Sequence, residues 1–340
     1  MFLSREGPLS RIHINSKGNK FIRKISFFTY SRDALNKILE LNNIDNNDEI
    51  ILPDYICSTV IEVILPVTKK IKFYKVNDEL SYSENEIEHL ISTETKLIIF
   101  VDYFGIPTLV SKKLELQIKK HKIIIVKDAA HSFLTILNNN FVKDYNYDYL
   151  ISSIYKNLPL QVGSIAIGNF YGTRNFINPF ILAKRFLVLF IKNLIYFLTL
   201  QKFITNGAYN ITTSDLTYKN SSYGINAYQI YSIFFNRIDF ELIIEEKRQL
   251  IKKFDSCIRN NTCFTPMIDS SSIDKNILQA YPLIFKCKED RDALLKNMIE
   301  NRIDAYTWPT FHAINYNEDL WNRVLLLPIE NKVLELISNV

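Results

Sequence analysis

The chain has 340 residues, 47% of them hydrophobic and 23% charged, enough to bury a substantial core and to divide into one large and one smaller domain. A net charge of +5 is small for this length, and the Lys and Arg residues form no concentrated block, which argues against nucleic-acid binding. The cysteines Cys57, Cys257, Cys263 and Cys287 have no metal-ligand spacing; they read as reduced thiols of a cytoplasmic protein, and no metal site is expected.

Residues 1–25 are a polar, mixed lead-in, and Arg5 and Glu6 follow Met1 too closely for an apolar signal-peptide core. From Tyr30 strand-like and helix-like segments alternate. Residues 31–41 place Ala34, Leu35, Ile38, Leu39 and Leu41 on one helical face, with Ser31 as N-cap. Strand 49–53, helix 58–65, strand 70–76, helix 84–91, strand 96–102, helix 111–121 and strand 122–128 follow, with further strands at 149–154 and 164–168. This βαβα succession of continuous apolar strands predicts an α/β fold, a mainly parallel sheet with helices on both faces.

The stretch 180–204 is strongly apolar, but Lys184, Arg185 and Lys192 interrupt it before the ~18–20 uncharged residues that a spanning helix needs. It reads as a helix packed against the protein or a second subunit, with an interfacial amphipathic helix as the alternative, so no membrane span is expected. A polar loop, 206–223, precedes a long helix over 227–258 whose charged stretch 245–249 is a solvated face. The alternation of segment 281–286, helix 289–300 and the apolar end 324–328 then suggests a smaller C-terminal α+β domain. The expected division is 1–25, 26–240 and 241–340.

Two strand ends carry the chemistry. Strand 122–128 delivers Asp128, and the apolar run before Tyr155 delivers Lys156, 28 residues later. Taken singly, an Asp at a strand end is ordinarily a helix cap and a Lys a solvated charge. Ligands of open α/β sheets, however, sit outside the carboxyl ends of the strands. A lysine and a carboxylate presented there suit pyridoxal phosphate, which takes a lysine as its Schiff-base partner and a carboxylate at its ring nitrogen.

Seven segments, in order, resemble the DegT/DnrJ/StrS sugar aminotransferase family, over about residues 26–330. They are Ser31-Arg-Asp-Ala-Leu (31–35), Asp48-Glu-Ile-Ile-Leu-Pro (48–53), Val101-Asp-Tyr-Phe-Gly (101–105), Lys127-Asp-Ala-Ala-His (127–131), Ser153-Ile-Tyr-Lys-Asn-Leu-Pro (153–159), Tyr306-Thr-Trp-Pro (306–309) and Leu325-Leu-Leu-Pro-Ile (325–329). The resemblance implies an aspartate-aminotransferase-like large domain, a homodimer with shared active sites, and pyridoxal 5′-phosphate as cofactor. It implies that Lys156 is the catalytic residue, covalent partner and proton carrier, that Asp128 pairs with the ring nitrogen and that His131 lies beside the ring. Ser31, Arg32 and Ser153 would hold the phosphate, with Ser152 as the neighbouring alternative. Tyr55 would stack on the ring or serve as core packing.

The chain departs from the family pattern at several positions. Lys127 stands where an acid is usual, Tyr30 where the first phosphate-binding turn has a glycine, and Val162-Gly163 where two glycines are typical. Asn220-Ser-Ser-Tyr (220–223) lies where relatives supply an asparagine across the dimer, so Ser222 or Asn220 would substitute. The expected activity is amino transfer to a nucleotide-linked keto sugar from an amino-acid donor, glutamate, in surface-polysaccharide synthesis. A dehydratase with the same cofactor and a non-catalytic scaffold are the alternatives.

Overall fold

The computed structural model describes residues 25–139, 147–158, 163–170, 176–177, 225–226, 238–260, 265–309 and 317–337, together with helical positions at 183, 187 and 191. The expected apolar helices of 176–204, the loop 206–223 and the first part of the helix 227–258 lie mostly or wholly outside these residues; where they are described, Phe176 and Ile177 form a strand instead of helix, and the later helix begins only at Phe240, after the N-cap Asp239.

A seven-stranded sheet forms the large unit, in the order β1-β7-β6-β5-β4-β2-β3. Its members are β1 (Ser26–Phe28), β2 (Glu49–Pro53), β3 (Ile71–Tyr74), β4 (Thr95–Val101), β5 (Ile124–Asp128), β6 (Tyr149–Ser153) and β7 (Ser164–Ile167). β3, β2, β4, β5 and β6 run parallel, while β7 runs antiparallel to both β6 and β1. Continuous burial of β2, β5 and β6 apart from Ile124 explains why their apolar residues run consecutively rather than alternating.

The connecting helices are α1 (Ser31–Leu41), α2 (Ser58–Ile64), α3 (Glu84–Leu90), α4 (Lys112–Lys120) and α5 (Phe133–Asn138). Helix α1 buries Ala34, Leu35, Ile38 and Leu39 at the expected three-and-four spacing, whereas Leu41 ends 37% exposed, off that face. Its N-cap is Tyr30 rather than Ser31. Tyr30 is extended (φ −138°, ψ 158°), and Asp33 Oδ2 accepts its N–H at 2.9 Å, so the first turn is closed by an acid at the third position. Ser31 is therefore the first helical residue, and its hydroxyl is available for other partners.

Two short strands, β8 (Phe176–Ile177) and β9 (Ile225–Asn226), pair with each other. Further along, α6 (Phe240–Arg259) starts at Asp239, whose side chain accepts the Leu242 N–H at 3.1 Å. A second sheet then joins β10 (Thr265–Pro266), β11 (Tyr281–Ile284) and β12 (Val324–Leu327). Around it lie α7 (Ser270–Lys275), α8 (Lys288–Glu300), α9 (Glu318–Arg323) and α10 (Asn331–Ile337). Its core includes Ile251, Phe254, Tyr281, Leu283, Leu325 and Leu327, and continues into Phe133, Leu134 and Ile154 of the large sheet's side. Among the described residues, no helix is long and apolar enough to cross a membrane.

Candidate active site

Parallel strands β4, β5 and β6 end together, and their register puts the chemistry in one place. Val101 pairs with Asp128, and Asp128 pairs with Ile151, so the Asp128 carboxylate emerges where β6 is about to leave the sheet. Past Ser153 the chain makes a tight turn, with Asn157 and Leu158 N–H groups donating to the Ile154 carbonyl at 3.0 and 2.9 Å. Lys156 sits half-buried in that turn.

The electrostatics tie the predicted residues together. Burial pushes the Asp128 carboxyl above its usual range; the Lys156 charge and the Ala130 N–H, 3.1 Å from Oδ1, pull it down, and Asp102 pushes it up. Burial, followed by the Lys156 charge, holds the His131 imidazole well below its usual value, so it is neutral at physiological pH. The Lys156 charge thus acts on both the acid and the imidazole. The His131 ring stacks on Phe104 (5.5 Å, 16°) and meets Trp308 edge-on at 5.1 Å, and its buried Nδ1 finds no hydrogen-bond partner among the described residues.

At the neighbouring corner three hydroxyls converge from three elements. Ser31 Oγ, at the start of α1, lies 2.7 Å from Ser153 Oγ and 3.0 Å from Ser164 Oγ. Ser153 and Ser164 are register partners across β6 and β7. Ser152, the alternative to Ser153, instead donates to the Ala129 carbonyl at 2.6 Å and is sealed from this corner. Ser164 was not visible in the sequence as a candidate, because nothing local signals that β7 turns back beside Ser153. Arg32 is half-buried, its guanidinium 4.6 Å from the Tyr30 ring centroid, and its charge acts on Asp33 and Glu62. Its buried Nε has no hydrogen-bond partner among the described residues.

The departures from the family pattern acquire physical reasons here. Tyr30 has an extended backbone that any residue adopts, so the first turn does not require glycine. Gly163 is different: its φ of 137° suits glycine alone. Its N–H reaches the Thr29 carbonyl and its carbonyl accepts from Ile154, both at 2.9 Å, tying the lysine loop to β1 and β6. Tyr55 is fully buried; its hydroxyl donates to the Trp308 carbonyl at 2.5 Å and its ring meets Trp308 edge-on at 4.9 Å and Tyr103 at 5.7 Å. The structure thus places Tyr55 within an aromatic layer with Tyr103, Phe104 and Trp308, while Ser31, Ser153, Asp128, His131 and Lys156 gather at the strand ends.

The donor set fits pyridoxal phosphate. A buried carboxylate suits a ring nitrogen, a half-buried lysine lies in the same electrostatic field, and hydroxyls at the start of an eleven-residue helix suit a phosphate. The fold is one shared by pyridoxal-phosphate-dependent transaminases.

Comparison with known proteins narrows the likeness. Residues 28–176 match the model of the DegT/DnrJ/EryC1/StrS aminotransferase family. Among solved structures, the chain is similar to Spr1654 from Streptococcus pneumoniae, assigned as a sugar aminotransferase and solved in its PMP form. That match has 15% identity and a TM-score of 0.63, covering 96% of this chain and 92% of that one. PseC from Helicobacter pylori, an aminotransferase involved in the biosynthesis of pseudoaminic acid, matches at 14% identity and TM-score 0.59, over 97% and 91% of the two chains. The sugar aminotransferase CalS13 from Micromonospora echinospora matches at 12% and 0.59, over 98% and 99%. These likenesses establish the fold. No significant match is found among curated proteins.

Proposed function

We propose that the protein transfers an amino group from glutamate to a keto sugar carried on a nucleotide, in the cytoplasm, for a surface polysaccharide. The observation that carries the reading is the convergence of Asp128 and Lys156 at the ends of β5 and β6, beside the hydroxyls of Ser31 and Ser153. The family match and the sugar aminotransferases of the same fold support the substrate class.

Pyridoxal phosphate, when bound, supplies a carbonyl carbon for an amine and an electron sink for the adjacent carbanion. Ser31, Ser153 and the start of α1 would hold its phosphate, and Arg32 would add a cation at that helix end. Asp128 would hold a proton at the ring nitrogen as the ionised carboxylate, the form that the Lys156 charge and the Ala130 N–H favour against burial. Lys156 Nζ would accept the proton from the amine-bearing carbon of the donor in the first half of the exchange and, in the second half, would deliver a proton to the sugar carbon, acting as general base and then general acid. Neutral His131 offers a flat wall beside the site without adding a second cation next to Lys156. Residues 241–340 would form a small domain closing over the substrate, and a second copy of the chain would complete the site.

The reading is tested by adding cofactor to the purified apoprotein. A visible absorption band that borohydride fixes to Lys156 is expected, as is its loss in Lys156→Ala. Glutamate should bleach the band and release 2-oxoglutarate, and a panel of nucleotide keto sugars should identify the acceptor. A wild-type protein without the band, or a band that survives Lys156→Ala, would overturn the enzyme and leave the scaffold alternative.

A further inference from the structure

The three hydroxyls at the corner have a defined polarity. Ser164 Oγ lies 2.9 Å from the Ser152 carbonyl, with the Ile165 carbonyl as a longer alternative at 3.4 Å. Both are oxygens that can only accept, so the single Ser164 proton is committed to a carbonyl. Ser164 must therefore accept from Ser31, and Ser31, its proton used, must accept from Ser153. The chain runs from the Ser153 hydroxyl to Ser31, on to Ser164 and into the backbone of β6. Ser164 is fully buried, whereas Ser31 is half-buried at the start of α1.

We propose that Ser164 is a positioning residue for the phosphate of the cofactor: it holds the Ser31 hydroxyl toward Ser153 and so presets the anion site. This rests on the cofactor reading above. A serine at the first position of a helix otherwise has several rotamers and can turn to its own backbone. Fixing Ser31 between Ser153 and Ser164 removes that freedom before the ligand arrives, which strengthens binding by lowering the ordering cost. When a phosphate oxygen enters, the proton of Ser153 can swing to it while Ser31 continues to donate to Ser164, whose own proton stays on the β6 carbonyl. Ser164 acts through Ser31 and never touches the ligand.

The test compares pyridoxal phosphate with pyridoxal, which lacks the phosphate, in equilibrium titrations of the apoprotein followed by absorbance. Ser164→Ala is expected to weaken pyridoxal phosphate by about tenfold, the scale of one hydrogen bond to a charged group, and to leave pyridoxal unchanged. Ser164→Cys, which keeps the shape but donates weakly, should show the same phosphate-selective loss, and Ser164→Thr should restore the wild-type ratio. In a Ser31→Ala background, Ser164→Ala should have no further effect, because its action passes through Ser31. Equal loss for both ligands in the Ala and Cys variants, no loss, or additive effects of the two serines would overturn the proposal. If wild type binds neither ligand, the cofactor reading falls with it; if wild type binds both and the variants keep its ratio, only the role of Ser164 falls.

Discussion

Lys127 Nζ lies 2.9 Å from Asp102 Oδ1, with the two side chains only 3% and 0% exposed. The pair closes a loop. Asp102 Oδ1 accepts the Thr108 N–H at 2.8 Å, Lys127 donates to the Thr108 carbonyl, and Thr108 Oγ1 donates to the Val101 carbonyl. That loop carries Phe104, whose φ of 55° is in the left-handed region, and Gly105, where an added Cβ would come 2.5 Å from the Ile277 carbonyl oxygen. Phe104 in turn stacks on His131. A lysine in place of the acid usual in the family thus holds the loop that walls the site.

Removing Lys127 should be costly because it strands Asp102 in the interior, where burial already pushes its carboxyl up and the lysine opposes that shift. Lys127→Met is expected to lose about 3–5 kcal/mol in urea denaturation, the usual cost of breaking a buried ion pair from one side. Adding Asp102→Asn should recover part of the loss. A single variant as stable as wild type would show that the pair does not clamp the loop.

Asp128→Asn keeps the shape of the side chain but cannot hold a ring nitrogen charged. Amino transfer from glutamate, followed in single-turnover experiments, should slow by at least about a hundredfold, in line with loss of an electrostatic stabiliser. The borohydride-trapped lysine should still form. Unchanged turnover would remove Asp128 from the assigned role.

Stability near the start of α1 should depend on pH through Asp33. Burial raises its pKa from 3.8 to about 6, against the opposing charge of Arg32 and the Tyr30 N–H. The folded state holds this proton more tightly than the unfolded chain does. Its stabilising contribution is therefore complete below about pH 4 and lost as pH rises through 6. Asn at this position can still accept from Tyr30 but does not titrate. Relative to wild type, Asp33→Asn should gain on the order of 2 kcal/mol between pH 4 and pH 7, measured by urea unfolding at each pH. A flat difference would refute the shift.

Tyr55→Phe separates the polar from the aromatic contribution. It removes the hydroxyl that donates to the Trp308 carbonyl and leaves that buried acceptor unpaired, so a loss of about 1–2 kcal/mol in stability is expected. Cofactor affinity should stay within about twofold, the behaviour of a side chain whose ring, not its hydroxyl, occupies the layer. A large drop in affinity with unchanged stability would place the hydroxyl at the ligand instead.

Much of the architecture was legible because parallel strands buried on both faces leave continuous apolar runs, as in Ile124–Val126 and Tyr149–Ile151. Helix α1 was readable from Ala34, Leu35, Ile38 and Leu39, but its true cap was not. Asp33 resembles a surface acid in sequence and is 7% exposed in the fold, turned back onto Tyr30. Helix α5 went unread: it has six residues and its first five are buried, so it has no polar face to set a period. Asp128, His131 and Lys156 could be paired through segment order. The third hydroxyl could not, since Ser164 is 133 residues from Ser31 and meets it through the antiparallel return of β7, which apolar windows do not encode.

The hydrogen bond from Ile154 N–H to the Gly163 carbonyl fixes the base of the loop that bears Lys156. This staple tolerates little: a side chain on Gly163 at φ 137° would open it and release both the lysine turn and the hydroxyl corner at once.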